Sequence, residues 1–174
     1  MLTPVERLAT KADGKQRELV ENQRGITYFG LFGPYLAGAK KIVVEDAYVR
    51  KPYQLRNLAE FLEMLLRCKN PDEDIAVHLV TGHNEPGFVE AQLDGLNELA
   101  STFSQLGVNL TYEFRDTLHD RSITADTGWE ILLGRGLDIF QKFVDGDWLN
   151  PLLRHQQLRR VKECKVTYRR IDGK

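Results

Sequence analysis

The sequence lacks the features that mark small secreted proteins and membrane proteins. Its only two cysteines, Cys68 and Cys164, are too few and too far apart for a disulfide framework or a four-thiolate zinc site. No segment approaches the roughly 20 apolar residues that a spanning helix needs, and the N-terminus has no apolar secretory core. Reduced thiols are typical of the cytosol. The sequence therefore predicts a cytoplasmic protein with no transmembrane segment.

An excess of charge of either sign is also missing. The chain has 24 Lys and Arg residues and 25 Asp and Glu residues, which gives a net charge of −1. A nucleic acid or an anionic membrane would therefore have to meet a local basic surface, because the protein as a whole carries almost no net charge. Its 174 residues, 42% of them hydrophobic, suffice for one domain with a buried core.

The sequence does contain alternating strand and helix patterns. Residues 41–49, 75–81 and 108–114 are rich in β-branched and aromatic side chains and predict three strands. Between them, residues 53–68 and 88–106 carry apolar side chains at helical spacing. Strands that alternate with helices through short connections are typical of a parallel sheet with right-handed crossovers.

After the third strand the pattern changes. Residues 122–125 and 129–133 predict two short strands around the turn formed by Asp126, Thr127 and Gly128. Residues 164–171 alternate again and can close the sheet. We therefore expect an α/β fold, in which a mixed and largely parallel sheet carries helices on both faces.

The chain divides into a short N-terminal segment and one domain. Thr3 and Glu6 have the spacing of a helix capping box, and the charged residues that follow are only weakly amphipathic. Residues 1–24 therefore predict a helical arm or linker, and residues 25–174 predict the folded domain.

The most informative motif lies just before the predicted hairpin. His119, Arg121 and Asp126 form the pattern His-x-Arg-x4-Asp, which has the spacing of the phospholipase D motif His-x-Lys-x4-Asp. In an extended segment His119 and Arg121 share one face, as a nucleophile and a phosphate clamp must. A structural explanation is also open, because Asp126 belongs to the predicted turn and His119 can hydrogen-bond backbone groups near the end of the sheet.

Further motifs occur in a characteristic order along the chain. They are Asp46-Ala47-Tyr48-Val49-Arg50, Tyr53-Gln54-Leu55-Arg56-Asn57-Leu58, Thr81-Gly82, Leu118-His119-Asp120-Arg121, Gly128-Trp129 and Gly134-Arg135-Gly136-Leu137-Asp138-Ile139-Phe140. Over about residues 25–171 this order resembles the phospholipase D-like domain at the C-terminus of MIT-domain proteins. It is also similar to the C-terminal segment of bacterial Lon-like AAA+ proteins of the BREX phage-defence type. The resemblance implies a phospholipase D-like fold and a dimeric module that binds acidic phospholipid without phospholipase activity.

Several of these motifs follow predicted strands. In open α/β sheets, ligand sites lie at the carboxyl ends of the strands, so the groups after the three parallel strands should share one edge. An internal network of salt bridges would explain the same charges, because buried ions must be paired. The predicted ligand-binding residues are Arg50, Arg56, Asn57, His119, Arg121, Arg135 and Asp138.

The leading functional hypothesis is a noncatalytic, homodimeric module that binds a phosphate-rich partner, either nucleic acid or anionic phospholipid. Arg121 stands where the phospholipase D motif has lysine, and arginine holds phosphate bidentately without giving up a proton. No second motif is present, so a catalytic site would have to form across a dimer. The alternative is therefore a dimeric, metal-independent phosphodiesterase or nuclease with His119, Arg121 and Asp126 as catalytic residues.

A third hypothesis is a protein-interaction cap of a larger AAA+ ATPase. An exposed apolar patch at Tyr28, Phe29 and Phe32 would favour it.

His83 and Glu85 suggest a metal pair but have no third ligand at a fixed spacing. We therefore expect neither a metal nor a cofactor.

Overall fold

The structure is a computed structural model that describes residues 1–142 and 149–171. Within these residues the helices are α1 (Pro4–Ala9), α2 (Tyr28–Leu36), α3 (Pro52–Leu65), α4 (Val89–Ser104) and α5 (Pro151–Arg154), followed by a 3-10 turn at Gln156–Leu158. The strands are β1 (Arg17–Leu19), β2 (Lys41–Glu45), β3 (Ile75–Thr81), β4 (Val108–Phe114), β5 (Ser122–Ala125), β6 (Trp129–Leu133) and β7 (Cys164–Arg170).

The seven strands form one mixed sheet in the order β1-β7-β6-β5-β2-β3-β4. This confirms the predicted α/β class and the predicted hairpin of β5 and β6. The sheet is not largely parallel, however, because only β2, β3 and β4 run parallel and the other four pairs are antiparallel. The reason is the change of pattern after β4, where β5 and β6 form a hairpin and pair antiparallel with their neighbours β2 and β7.

Helices were expected on both faces of the sheet, but the structure does not place them so. Helix α3 packs against α2 and α4, and α4 packs against β4, so these helices form a layer on one face. The two crossovers β2-α3-β3 and β3-α4-β4 advance in the same direction along the sheet, and right-handed crossovers that do so place their helices on the same side. On the other face, Val43, His78 and Leu132 are partly exposed.

The core lies between this helical layer and the sheet. Tyr28 and Phe32 of α2 are fully buried and stack on each other, with ring centroids 5.6 Å apart. The Tyr28 hydroxyl donates a hydrogen bond to the carbonyl oxygen of Leu137. Phe29 is half-buried beneath Arg67, whose guanidinium carbon is 3.7 Å from the ring centroid. The exposed aromatic patch that would favour a docking cap therefore does not form.

The N-terminal residues are joined to the sheet more closely than a helical arm would be. The predicted capping box is confirmed, because the Thr3 side chain accepts from the Glu6 amide and the Glu6 side chain accepts from the Thr3 amide. The helix ends at Ala9, however, and β1 then pairs antiparallel with β7. Leu19 of β1 is only 2% exposed, so this short strand contributes to the core.

The helices of the described residues are all too short or too polar to cross a membrane. The longest, α4, runs for 16 residues and carries three acidic side chains along its length.

Candidate functional site

The structure brings the ends of five strands to one edge of the sheet. The carboxyl ends of β2, β3 and β4 meet there because these strands are parallel. The start of β5 and the end of β6 join them because β5 runs antiparallel to both neighbours. Residues 115–121 connect β4 to β5, so they cross the ends of β3 and β2. We call this side of the sheet the carboxyl edge.

Asp46 organises the carboxyl edge from within. It follows β2 directly and is 3% exposed. Its carboxylate accepts hydrogen bonds from the backbone amides of Tyr48 and Leu137, each at 3.0 Å. Burial raises the pKa of Asp46 above its usual range, and the nearby positive charge of Arg121 opposes that effect. Asp46 therefore acts as a scaffold residue that ties the loop after β2 to the loop after β6.

The ring of Tyr48 contacts the guanidinium groups of two arginines at this edge. The guanidinium carbon of Arg50 is 5.0 Å from the centroid of the Tyr48 ring, and that of Arg121 is 4.5 Å from it. The Arg50 Nε also donates to the carbonyl oxygen of Ala47 at 2.7 Å. Tyr48 itself is 46% exposed. We call Tyr48, Arg50 and Arg121 the Tyr48 cluster; cation–π contacts hold its two positive charges together at the surface.

The charges of the Tyr48 cluster are not neutralised by direct ion pairs. Among residues 1–142 and 149–171, no carboxylate oxygen lies within 4.0 Å of the Arg50 or Arg121 guanidinium nitrogens. Asp46, the acid most closely associated with Arg121, uses its oxygens on backbone amides instead. The arginines therefore keep donors for an anion from solution.

The three residues of the His-x-Arg-x4-Asp motif are not brought together. His119 is exposed in the loop before β5, and Arg121 lies at the start of that strand. Asp126 follows the opposite end of β5, about 16 Å from Arg121 at the usual rise per strand residue. Its carboxylate accepts a hydrogen bond from the Lys40 amide at 3.0 Å. Asp126 thus anchors the hairpin turn and does not contact His119 within one chain.

The remaining predicted ligand-binding residues make their contacts outside the Tyr48 cluster. Arg56 forms an ion pair with Glu60 at 3.5 Å, and Asp138 forms one with Lys162 at 3.1 Å. Together with the buried Asn57, they line a cavity of about 1210 Å³ between α3 and α4. Arg135 follows β6, and its Nε donates to the carbonyl oxygen of Glu163 at 2.8 Å.

The sequence predicted that the groups after β3 and β4 share one edge, but it did not predict that His83 and Asp116 form a histidine–carboxylate pair there. One oxygen of Asp116 accepts from the His83 backbone amide at 2.8 Å, and the other lies 2.9 Å from His83 Nδ1. These contacts, led by the amide hydrogen bond, lower the pKa of Asp116. The His83 ring also stacks on Phe114 at a centroid distance of 4.1 Å. Their positions in the sequence pointed to this pair, because His83 lies just after β3 and Asp116 lies just after β4, and these two strands are adjacent and parallel.

The mixed sheet and its helical layer form a phospholipase D-like domain. Residues 25–170 match the family described as the phospholipase D-like domain at the C-terminus of MIT, and the chain belongs to this family. MIT domain-containing protein 1 of the mouse (Mus musculus) is 38% identical over 136 residues, which cover 76% of this chain and 54% of that protein. The chain thus spans about half the length of this curated relative.

Proposed function

We propose that this protein is a noncatalytic module that binds phosphate groups through the Tyr48 cluster. The observation that carries the proposal is the pair of arginines over an exposed tyrosine, with no carboxylate ion-paired to either among the described residues. Guanidinium groups hold phosphate oxygens through paired, charge-assisted hydrogen bonds. The placement of Asp126 and His119 beyond opposite ends of β5 supports binding rather than turnover, because a phosphohistidine mechanism needs an oriented imidazole.

Acidic phospholipid headgroups suit the Tyr48 cluster better than nucleic acid does. Proteins that bind single-stranded nucleic acid stack bases on free aromatic faces. Here both guanidiniums lie over the Tyr48 ring and reduce the area left for a base. Phosphate oxygens need only the outward donors of the two arginines. We include homodimerisation in the proposal because the family resemblance implies it; light scattering of the purified protein tests it.

Vesicle sedimentation tests the lipid proposal. The wild type should bind phosphatidylcholine vesicles that contain phosphatidylglycerol, should not bind pure phosphatidylcholine, and should release as salt rises because the attraction is electrostatic. Replacing Arg50 and Arg121 together by Gln should weaken binding about tenfold or more, since hydrogen bonds to charged groups contribute roughly 1.5–3 kcal/mol. The matched control is Arg67→Gln, which removes an arginine stacked on Phe29 and should leave binding unchanged.

Other results would point to other functions. Binding to single-stranded DNA that depends on the same two arginines, without vesicle binding, would favour the nucleic-acid partner. Hydrolysis of a phosphodiester reporter in EDTA that disappears in His119→Ala would favour the dimeric phosphodiesterase. Equal vesicle binding by the double variant and the wild type would contradict a role for the Tyr48 cluster.

A further inference from the structure

Two of the histidines on the sheet are held by neighbouring side chains, but in different ways. Both ring nitrogens of His78 are engaged, with Thr111 Oγ1 at 2.8 Å and Glu113 Oε1 at 3.0 Å. Only Nδ1 of His83 is engaged, by Asp116. Within the described residues Nε2 of His83 has no hydrogen-bond partner, and the side chain is 44% exposed. A carboxylate on Nδ1 fixes the ring orientation and leaves Nε2 directed toward an incoming ligand.

His119, the histidine of the sequence motif, lacks such an orienting contact. No hydrogen bond or ion pair of its side chain is found within residues 1–142 and 149–171, and the ring is exposed. An unrestrained imidazole loses rotamer freedom when it binds, whereas the His83 ring is already fixed by Asp116 and by stacking on Phe114. His83 is therefore better organised to contact a ligand than His119.

The oriented His83 lies close to Arg50, which is a member of the Tyr48 cluster. A side-chain carbon added at Gly82, the residue before His83, would lie 2.5 Å from an Arg50 guanidinium nitrogen. The same guanidinium helps to lower the pKa of Asp116 through its positive charge. The Gly82 backbone also donates to the carbonyl oxygen of Ala47 at 3.2 Å, which joins the loops after β3 and β2. Arg50 thus lies between Tyr48 and the His83–Asp116 pair.

We propose that His83, oriented by Asp116, is a second ligand-contacting group of this site and makes phosphate binding pH-dependent. The inference rests on the proposed function of the Tyr48 cluster. Protonated His83 donates from Nε2 to an oxygen of the phosphate that Arg50 holds, and it adds a third positive charge to the site. Asp116 from the loop after β4 contacts His83, and the charge of Arg50 from the loop after β2 acts on Asp116. Phe114 contributes a neutral surface.

The test is a pH series of vesicle binding with phosphatidylglycerol, whose phosphate keeps its charge across the range. Histidines change charge between about pH 8 and pH 5, so wild-type affinity should rise by roughly tenfold as pH falls through that window. His83→Asn keeps a donor for Asp116 but removes Nε2, and it should abolish the rise. His119→Asn is the matched control and should retain the rise. Asp116→Asn should reduce it, because the ring loses its orienting carboxylate.

The outcomes separate this inference from the proposed function. If His83→Asn keeps the full rise, or if His119→Asn abolishes it, the role of His83 is overturned while the Tyr48 cluster stands. If the wild type binds no acidic vesicles at either pH, the proposed function itself fails. Circular dichroism of each variant confirms that it is folded. Inorganic phosphate added as a competitor distinguishes recognition of a free phosphate from recognition of a headgroup held in a membrane.

Discussion

Asp46 shows how a single buried carboxylate positions the loops of the Tyr48 cluster. Its two hydrogen bonds join Tyr48 to Leu137, so the position of the Tyr48 cluster depends on a group hidden beneath it. Burial raises its pKa because the ionised carboxyl loses water, even though two amides favour the charged form. The residue therefore provides accurate positioning at a cost in stability at neutral pH.

This cost predicts a pH dependence. A carboxyl whose folded pKa lies above its unfolded value destabilises the fold when ionised, and the penalty disappears as pH falls through the folded value. Asp46→Asn cannot ionise. The free energy of unfolding of the wild type should therefore rise relative to that of Asp46→Asn as pH is lowered from about 7 to about 4. Urea denaturation at a series of pH values measures this difference.

Glu113 provides a control of opposite sign. Its hydrogen bond with His78 is the leading cause that lowers its pKa. Relative to Glu113→Gln, the wild type should therefore lose stability as pH falls below about 4.5 and through the lowered pKa of the folded state, because the stabilised carboxylate becomes protonated. If the difference between wild type and Asp46→Asn stays constant with pH, Asp46 titrates alike in the folded and unfolded states, and its assignment as a buried ionised scaffold is wrong.

The sequence identified only those site residues whose position follows from the direction of the strand that they flank. Arg50 lies in the loop after β2 and Arg121 directly precedes β5, so both reach the carboxyl edge whatever the rest of the sheet does. Arg135 also follows a strand at this edge, but its side chain turns to the Glu163 carbonyl, a contact that depends on how residue 163 returns to the sheet. The His83–Asp116 contact needed the pairing of β3 with β4, which spacing along the chain does not give.

Among the elements, the loop after β6 depends most strongly on a glycine. Gly136 has φ of +62°, and an added side-chain carbon would lie 2.1 Å from an Asp46 carboxylate oxygen. The loop can approach Asp46 closely enough to present the Leu137 amide only because this position carries no side chain. Glycine here satisfies two demands at once, a left-handed backbone and a close contact.

Gly136→Ala should separate these two demands when it is compared with Gly87→Ala. Gly87 has φ of +94° with nothing within 4 Å of an added carbon, so its substitution should cost only the backbone strain, about 1–2 kcal/mol. Gly136→Ala should cost about 1–3 kcal/mol more, because Asp46 must also move. It should weaken vesicle binding as well. Equal destabilisation of the two variants would show that the contact with Asp46 does not contribute to the loss in free energy of unfolding.

Strand and helix positions were predictable from periodicity, whereas their arrangement was not. The predicted strands at residues 75–81 and 108–114 match β3 and β4, because β3 is a short run of mostly apolar side chains and β4 alternates apolar and polar side chains. Strand β1 has only three residues, of which Leu19 alone is buried, so no periodicity could reveal it. The sheet order and the single helical layer follow from long-range pairing, which local sequence patterns do not encode.

At the scale of the whole molecule, the N-terminal segment belongs to the sheet although the family match begins at residue 25. Strand β1 covers the outer edge of β7, with Arg17 opposite Val166 and Leu19 opposite Cys164. Farther along, the amide of Asn22 donates to the carbonyl oxygen of Val161 at 2.8 Å. An unpaired β7 would expose a seven-residue edge, and exposed edges invite association with other chains. The segment therefore completes the fold.

Adjacent residues of this segment provide the corresponding test. Leu19 is 2% exposed and Val20 is 65% exposed. Leu19→Ala should lower the free energy of unfolding by about 2–5 kcal/mol, because it removes buried apolar surface and leaves a cavity. Val20→Ala should change it by less than about 0.5 kcal/mol. Urea denaturation of the full chain measures both. If residues 1–24 were only an appended arm, both substitutions would have the same small effect, since neither side chain would contribute to the cooperative unfolding of the domain.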